Sequence, residues 1–237
     1  VDMYELLSNT SRRERLSNAL LESAIKYKIN GINIDFEKIP SKAGEHYIQF
    51  LRELSVKCRN NGIVLSVDNY VPAPYNLYYD REEQGKILDY IIVMAYDEHH
   101  AGSDVAGPVA SIGFVKDAIK NTLDEVPKEK TIIAIPFYSR HWKETSEGDV
   151  TSESFAMTPA KKIFVDNGVE PEWDDTYGSY YGEYEKDETI YKMWLEDEKS
   201  IEEKMKVIYD ANVAGIGAWK LGLEKEEVWN VIIKYLN

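Results

Sequence analysis

The stretch GINIDFE, residues 31–37, decides the reading of this chain. Ile32, Ile34 and Phe36 alternate with Asn33, Asp35 and Glu37. Successive side chains of a strand point to opposite faces, so the three polar residues share one face and the three apolar residues the other. Same-face neighbours lie about 6.6–7 Å apart along the backbone, which makes Asp35 and Glu37 a coupled pair. Two adjacent carboxyls on a buried strand repel when both are ionised, so one holds a proton near neutral pH, as a general acid must. Two other readings compete: a polar face turned to solvent, and carboxylates gathered for a metal ion.

The segments around this stretch set its context. A helical stripe of Leu16, Ala19, Leu20, Ser23 and Ala24 precedes it, with Ser8 or Thr10 as candidate N-cap. Downstream, helical patterns alternate with apolar runs: a helix to Gly62, then IVLSVDNY (63–70), a short helix from Asp80, YIIVMAYDEH (90–99), a helix to Val126, TIIAIPFYSR (131–140), a helix near 200–213, GIGAWKLG (215–222) and a last helix. Near-continuous Ile/Val/Leu strands separated by helices indicate a parallel α/β sheet covered on both faces. Residues 141–195, rich in Asp, Glu, Tyr, Trp and Gly, break the rhythm. They read as a small inserted α+β subdomain with some antiparallel strands, placed before the last strand.

Composition narrows the function classes. With 42 acidic against 28 basic residues, the net charge is −14, which argues against nucleic acid and anionic membrane as partners. Cys58 is the single cysteine, so neither an intrachain disulfide nor a cysteine metal cluster can form. His99 and His100 lack metal-site spacing and read as exposed loop histidines. The expectation is no metal and no cofactor. No apolar run is long enough to span a bilayer.

Other strands end as this one does. Asp68 and Tyr70 close one, Tyr96 and Asp97 the next, Tyr138 and Arg140 the next with Trp142 just beyond, and Trp219 the last. Polar and aromatic residues at the carboxyl ends of successive strands are where a (β/α)8 barrel carries its chemistry. Aromatic faces beside an acid pair suit a sugar.

These residues resemble a known family. NGINIDFE is similar to the D-G-x-D-x-D-x-E signature of glycoside hydrolase family 18, the chitinase-type barrels. VMAYDEH resembles its M-x-Y-D motif, IPFYSR its G-x-P-F-Y-x-R, and GIGAWKLG its Trp-bearing eighth strand. The forms GINIDFE, YDEH and AWKLGLE look closest to the bacterial cell-wall and spore-cortex N-acetylglucosaminidase branch. The resemblance runs from about residue 5 to the C-terminus. It implies a TIM (β/α)8 barrel in which GINIDFE is strand four, so that residues 1–237 carry strands 4–8 of a catalytic domain whose strands 1–3 are missing.

The resemblance also implies roles. Glu37 matches the general acid and Asp35 the aspartate that hydrogen-bonds it and then the substrate acetamide. Tyr96 matches the tyrosine that holds the acetamide carbonyl. Asn33, Tyr70, Asp97, Tyr138, Arg140, Trp142 and Trp219 are the candidate substrate-binding residues, with Trp219 the platform under the reacting sugar. The implied reaction is substrate-assisted, retaining hydrolysis of β-1,4 bonds next to N-acetylglucosamine in peptidoglycan or a chitin-like polymer. The implied partner is such a polysaccharide, and the implied location is outside the cell, at the wall or spore envelope. Asn30 and Asn33 depart from the signature, which has Asp at both places. A non-catalytic, lectin-like or coat protein on the same fold is the alternative, and the presence of Glu37 weighs against it.

Overall fold

Ile32 and Ile34 enter a sheet as their alternation requires, but regular pairing stops at Ile34, so Asp35 and Glu37 stand on the segment leaving the strand. The computed structural model describes residues 1–236. Its elements run α1 (Met3–Ser8), α2 (Thr10–Tyr27), β1 (Gly31–Ile34), α3 (Gly44–Asn60), β2 (Val64–Tyr70), α4 (Arg81–Ile87), β3 (Tyr90–Met94), α5 (Ile112–Leu123), β4 (Thr131–Pro136), β5 (Tyr138–Thr145), β6 (Val150–Ala156), α6 (Met157–Asp166), β7 (Glu172–Asp174), β8 (Ser179–Lys186), β9 (Thr189–Leu195), α7 (Glu198–Asp210), β10 (Gly215–Trp219) and α8 (Glu226–Ile233). One sheet has the strand order β1-β2-β3-β4-β10 and the other β6-β5-β9-β8-β7. The expected α/β alternation is present, with five strands in the first sheet among the described residues.

The chain forms two compact units. The first comprises Val1–Val93, Lys120–Ile132 and Val213–Gly215. Here β1 and β2 pair in parallel, Gly31 opposite Val64 through Ile34 opposite Val67. A parallel pair needs a crossover, and α3 supplies it. Its Tyr47, Ile48, Phe50, Leu51 and Leu54 are buried. Phe36, on the apolar side of the motif, stacks on Phe50 at 5.8 Å and lies 6.2 Å from Tyr47. Each such side chain contributes roughly 1.5–3 kcal/mol by leaving water. Asn9 caps α2 by accepting from the Arg12 N–H, in place of the Ser8 or Thr10 expected. The buried face of α2 holds Arg13, Ser17 and Ala24 instead of an unbroken apolar stripe. Arg13 forks onto Glu53 of α3 and donates to the Leu7 carbonyl at 2.7 Å, tying the first three helices together.

The second unit comprises Met94–Ile119, Ile133–Asn212 and residues 216–236. TIIAIPFYSR reads as one strand, but the structure cuts it in two. Proline has no N–H to give a ladder, and β4 ends at Pro136. Beyond it, β5 pairs antiparallel with β6 and β9, and β8 with β9 and β7. The antiparallel sheet therefore starts at Tyr138, ahead of the boundary at 141 read from composition. On one of its faces, Ala160 and Phe164 of α6 pack against Met193 and Leu195 of β9. Gly182 is required there, because a Cβ would fall 2.6 Å from the Phe164 ring. Below the sheet, buried Lys204 of α7 donates to both carboxylate oxygens of buried Glu196 at 2.9 Å.

Candidate active site

The β1–β2 register sets the first group of site residues. Asn33 lies opposite Ser66. Carried on by the same two-residue period, this alignment brings Asp35 beside Asp68 and Glu37 beside Tyr70. Asn33 Nδ2 donates to Ser66 Oγ at 3.0 Å and to Asp68 Oδ1 at 3.1 Å. The Tyr70 hydroxyl donates to Glu37 Oε2 at 2.8 Å. The segment carrying Glu37 is itself held: the Tyr79 hydroxyl accepts from the Ile39 N–H at 3.4 Å and donates to the Phe36 carbonyl at 3.5 Å.

Three carboxyls thus share one face. Burial, and then the Glu37 charge, hold Asp35 above the ordinary carboxylate range. Asp68 is also held high, by burial first and then by Asp35 and Glu37, against the lowering effect of the Asn33 hydrogen bond. Burial and the bond to Glu37 push the Tyr70 phenol well above its usual range, so it stays a donor. Tyr47 of α3 lies behind the group, fully buried, and its hydroxyl has no hydrogen-bond partner. Carboxyls coupled in this way hold a proton to higher pH than an isolated carboxyl would, and a proton so held can be delivered to a leaving oxygen. Asp68 and Tyr79 were not among the candidate site residues. The alternation of Ser66, Asp68 and Tyr70 carried the signal for Asp68, whereas nothing local marks Tyr79.

The second unit holds a separate group. The Tyr138 hydroxyl donates to Asp97 Oδ1 at 2.6 Å, and Arg140 Nη2 lies 3.6 Å from the same oxygen. Arg140 Nη1 donates to Ser152 Oγ at 3.2 Å, while its buried Nε has no partner. Asp97 takes a left-handed backbone, φ +55°. Burial, and then Asp97, hold the Tyr138 phenol far above its usual range; Tyr96 adds a smaller push of the same sign. Trp219 ends β10 with about half of its surface (49%) exposed. Trp142 is placed differently: it is 0% exposed and its Nε1 donates to the Gly107 carbonyl at 2.7 Å, which leaves no ring face for a ligand. His99 is not an exposed loop residue either. Its Nδ1 bonds the Pro108 carbonyl at 3.0 Å and its ring fills the space over Gly107, where a Cβ would meet it at 2.4 Å. Among the described residues, no His, Cys, Asp and Glu group has the arrangement of a metal site, and no helix is long and apolar enough to cross a membrane.

The family model described as "Glycosyl hydrolases family 18" matches residues 2–224. The cortical fragment-lytic enzyme of Bacillus subtilis (strain 168) is 27% identical over 240 residues, covering 98% of this chain and 56% of its own length. The crystal structure of the Bacillus cereus spore cortex-lytic enzyme SleL superposes with a TM-score of 0.89 at 23% identity, over 98% of this chain and 55% of that one. A chitinase from Chromobacterium violaceum ATCC 12472 has the same TM-score at 22% identity, over 98% of this chain and 74% of that one. The chain spans about half the length of the first curated relatives it matches.

Proposed function

Since the chain belongs to glycosyl hydrolase family 18, we propose that it hydrolyses β-1,4 bonds next to N-acetylglucosamine, in spore-cortex or wall peptidoglycan, by a retaining, substrate-assisted route. The observation that carries this reading is Glu37 hydrogen-bonded by Tyr70 at 2.8 Å, beside an Asp35 held above the ordinary carboxylate range by burial and by Glu37. In the proposed reaction, Glu37 gives its proton to the glycosidic oxygen as the C1–O bond breaks. The substrate's own acetamide oxygen attacks C1 and forms a cyclic oxazolinium. Asp35, ionised, accepts the acetamide N–H and balances the growing positive charge. Water, deprotonated by Glu37, then opens the ring with net retention. A nucleophile carried by the substrate explains why one acid and one charge-stabilising carboxylate suffice.

The roles proposed for Tyr96, Asp97, Arg140 and Trp219 rest on their motif matches. A cortex or wall substrate would place the enzyme's work outside the cytoplasm, at the spore envelope or wall; the names of the relatives support that reading.

The test is turnover of a chromogenic N-acetylglucosamine oligomer and of purified cortex peptidoglycan, with Glu37→Gln in parallel. Turnover by the parent, falling on the order of 10²–10⁴-fold in the variant, is the expected result. A de-N-acetylated oligomer should resist cleavage. Equal turnover by parent and variant, or none by the parent, would overturn the proposal.

A further inference from the structure

Position 33 carries an amide where the resembling signature has a carboxylate, and a carboxylate two residues beyond its β2 partner bonds to it. Asn33 uses one amine for two acceptors on β2, Ser66 Oγ at 3.0 Å and Asp68 Oδ1 at 3.1 Å. Both N–H bonds are engaged, which fixes how the amide is turned. The contact follows from the sheet: Asn33 pairs with Ser66, and Asp68 is the next β2 residue on that face.

The groups that act on Asp68 include Asn33, Asp35 and Glu37, from β1 and the segment after it, and Tyr47 from α3. The Tyr47 hydroxyl is buried without an acceptor, and both Asp68 and Asp35 lie near enough to act on it.

We infer that Asp68 is a positioning residue: it supplies, from the neighbouring strand and hydrogen-bonded to Asn33, the carboxyl that position 33 lacks, and its charge sets how tightly Asp35 holds its proton. Asn33 and Asp68 together are one amide and one carboxyl joined by a hydrogen bond. Exchanging the two side chains keeps that bond and the total charge. Adding a carboxyl at 33 alone puts two acids at hydrogen-bond distance beside Asp35; as that pair loses its shared proton a second negative charge appears there, and Asp35 holds its own proton more tightly. Removing the carboxyl at 68 alone relieves like-charge repulsion and has the opposite effect. The kinetic consequence rests on the proposed function; the titration does not.

The experiment compares the parent, Asn33→Asp, Asp68→Asn and the double exchange, each with ¹³C-labelled Asp and Glu carboxyls followed by NMR against pH. The Asp35 midpoint should rise in Asn33→Asp and fall in Asp68→Asn, each by about one pH unit, and the exchange should restore it. The basic limb of kcat/KM on the N-acetylglucosamine oligomer should move in the same order, because Glu37 must be protonated to act. A purely structural role for Asp68 would lower activity without moving either midpoint. An unmoved Asp35 midpoint in Asp68→Asn, or an exchange no nearer the parent than the single variants, overturns the inference. If the parent turns over no substrate, the NMR titration still decides, which separates failure of this inference from failure of the proposed function. Should Asp68→Asn not fold, as judged by circular dichroism, Asn33→Asp carries the test, and an unmoved Asp35 midpoint there overturns the inference equally.

Discussion

The Tyr70 hydroxyl donates to Glu37 Oε2 at 2.8 Å, joining the last residue of β2 to the segment that leaves β1. Glu37 stands beyond the last ladder bond of its own strand, so this cross-strand contact, with Tyr79 holding the backbone on either side, determines where its carboxylate sits.

Tyr70→Phe should keep the fold, because the ring retains its edge contact with Tyr79 at 6.1 Å. Stability should change by no more than about 1 kcal/mol, while kcat/KM falls about tenfold because the Glu37 carboxyl loses the bond that orients it. Steady-state kinetics with thermal melts check both halves. A kcat/KM equal to the parent's would show that Tyr70 does not orient the acid.

Asp97 accepts from Tyr138 at 2.6 Å and pairs with Arg140 at 3.6 Å. Asp97→Ala leaves the Tyr138 hydroxyl, in a residue only 6% exposed, without its acceptor. The expected loss is about 1–3 kcal/mol in urea unfolding. Asp97→Asn keeps an acceptor oxygen and should recover most of that stability, yet raise KM several-fold because Arg140 loses its charged partner. Equal stability of the two variants would count against this assignment.

Lys204 and Glu196 form a buried pair, with Ser200 Oγ donating to the same carboxylate at 2.8 Å. Lys204→Met strands a buried charge and should cost about 3–5 kcal/mol at pH 7. With the lysine gone, burial holds the native Glu196 pKa above its unfolded value of about 4.3. The native state then binds the proton first, so the penalty should shrink as pH falls through that raised pKa. Lys204→Met with Glu196→Gln should recover much of the loss. Urea titrations at pH 7 and pH 5 measure each difference, and a pH-independent penalty would contradict it.

His141 sits in a ring stack, 5.2 Å from Tyr191 and bonded to the Tyr184 hydroxyl at 3.1 Å. Burial lowers its pKa, and Glu153 only partly opposes this. The unfolded chain, with a value of about 6.5, binds the proton first as pH falls. Stability should therefore be lost from about pH 6.5 downward until the native His141 also titrates. His141→Phe should be less stable than the parent at pH 8, by about 1 kcal/mol for the lost hydrogen bond, and that gap should narrow by pH 5. A gap constant across pH would overturn the assignment.

Much of this was legible in the sequence, and the limits are instructive. The alternation in GINIDFE and LSVDNY placed Asn33, Asp35, Glu37, Asp68 and Tyr70 on common faces, because the two-residue period is a local property of extended backbone. The order of four motifs along the chain pointed to the family that the comparison found. Strand ends were less legible: Ile34 and Pro136 end strands that the apolar pattern carried further, since hydrogen-bond pairing with a neighbour decides where a ladder stops.

By itself, then, the sequence determined the strand–helix alternation, the family and the set of polar residues at strand ends. Only the tertiary structure decided which of them meet. The Asn33–Asp68 bond joins residues far apart in the chain through a strand register. Trp142 and Trp219, both candidate substrate-binding residues, parted company: one is sealed in the second unit's interior, the other half exposed at the end of β10. Periodicity is written in neighbouring residues, whereas register, burial and cross-strand hydrogen bonds depend on contacts through space that no local pattern encodes.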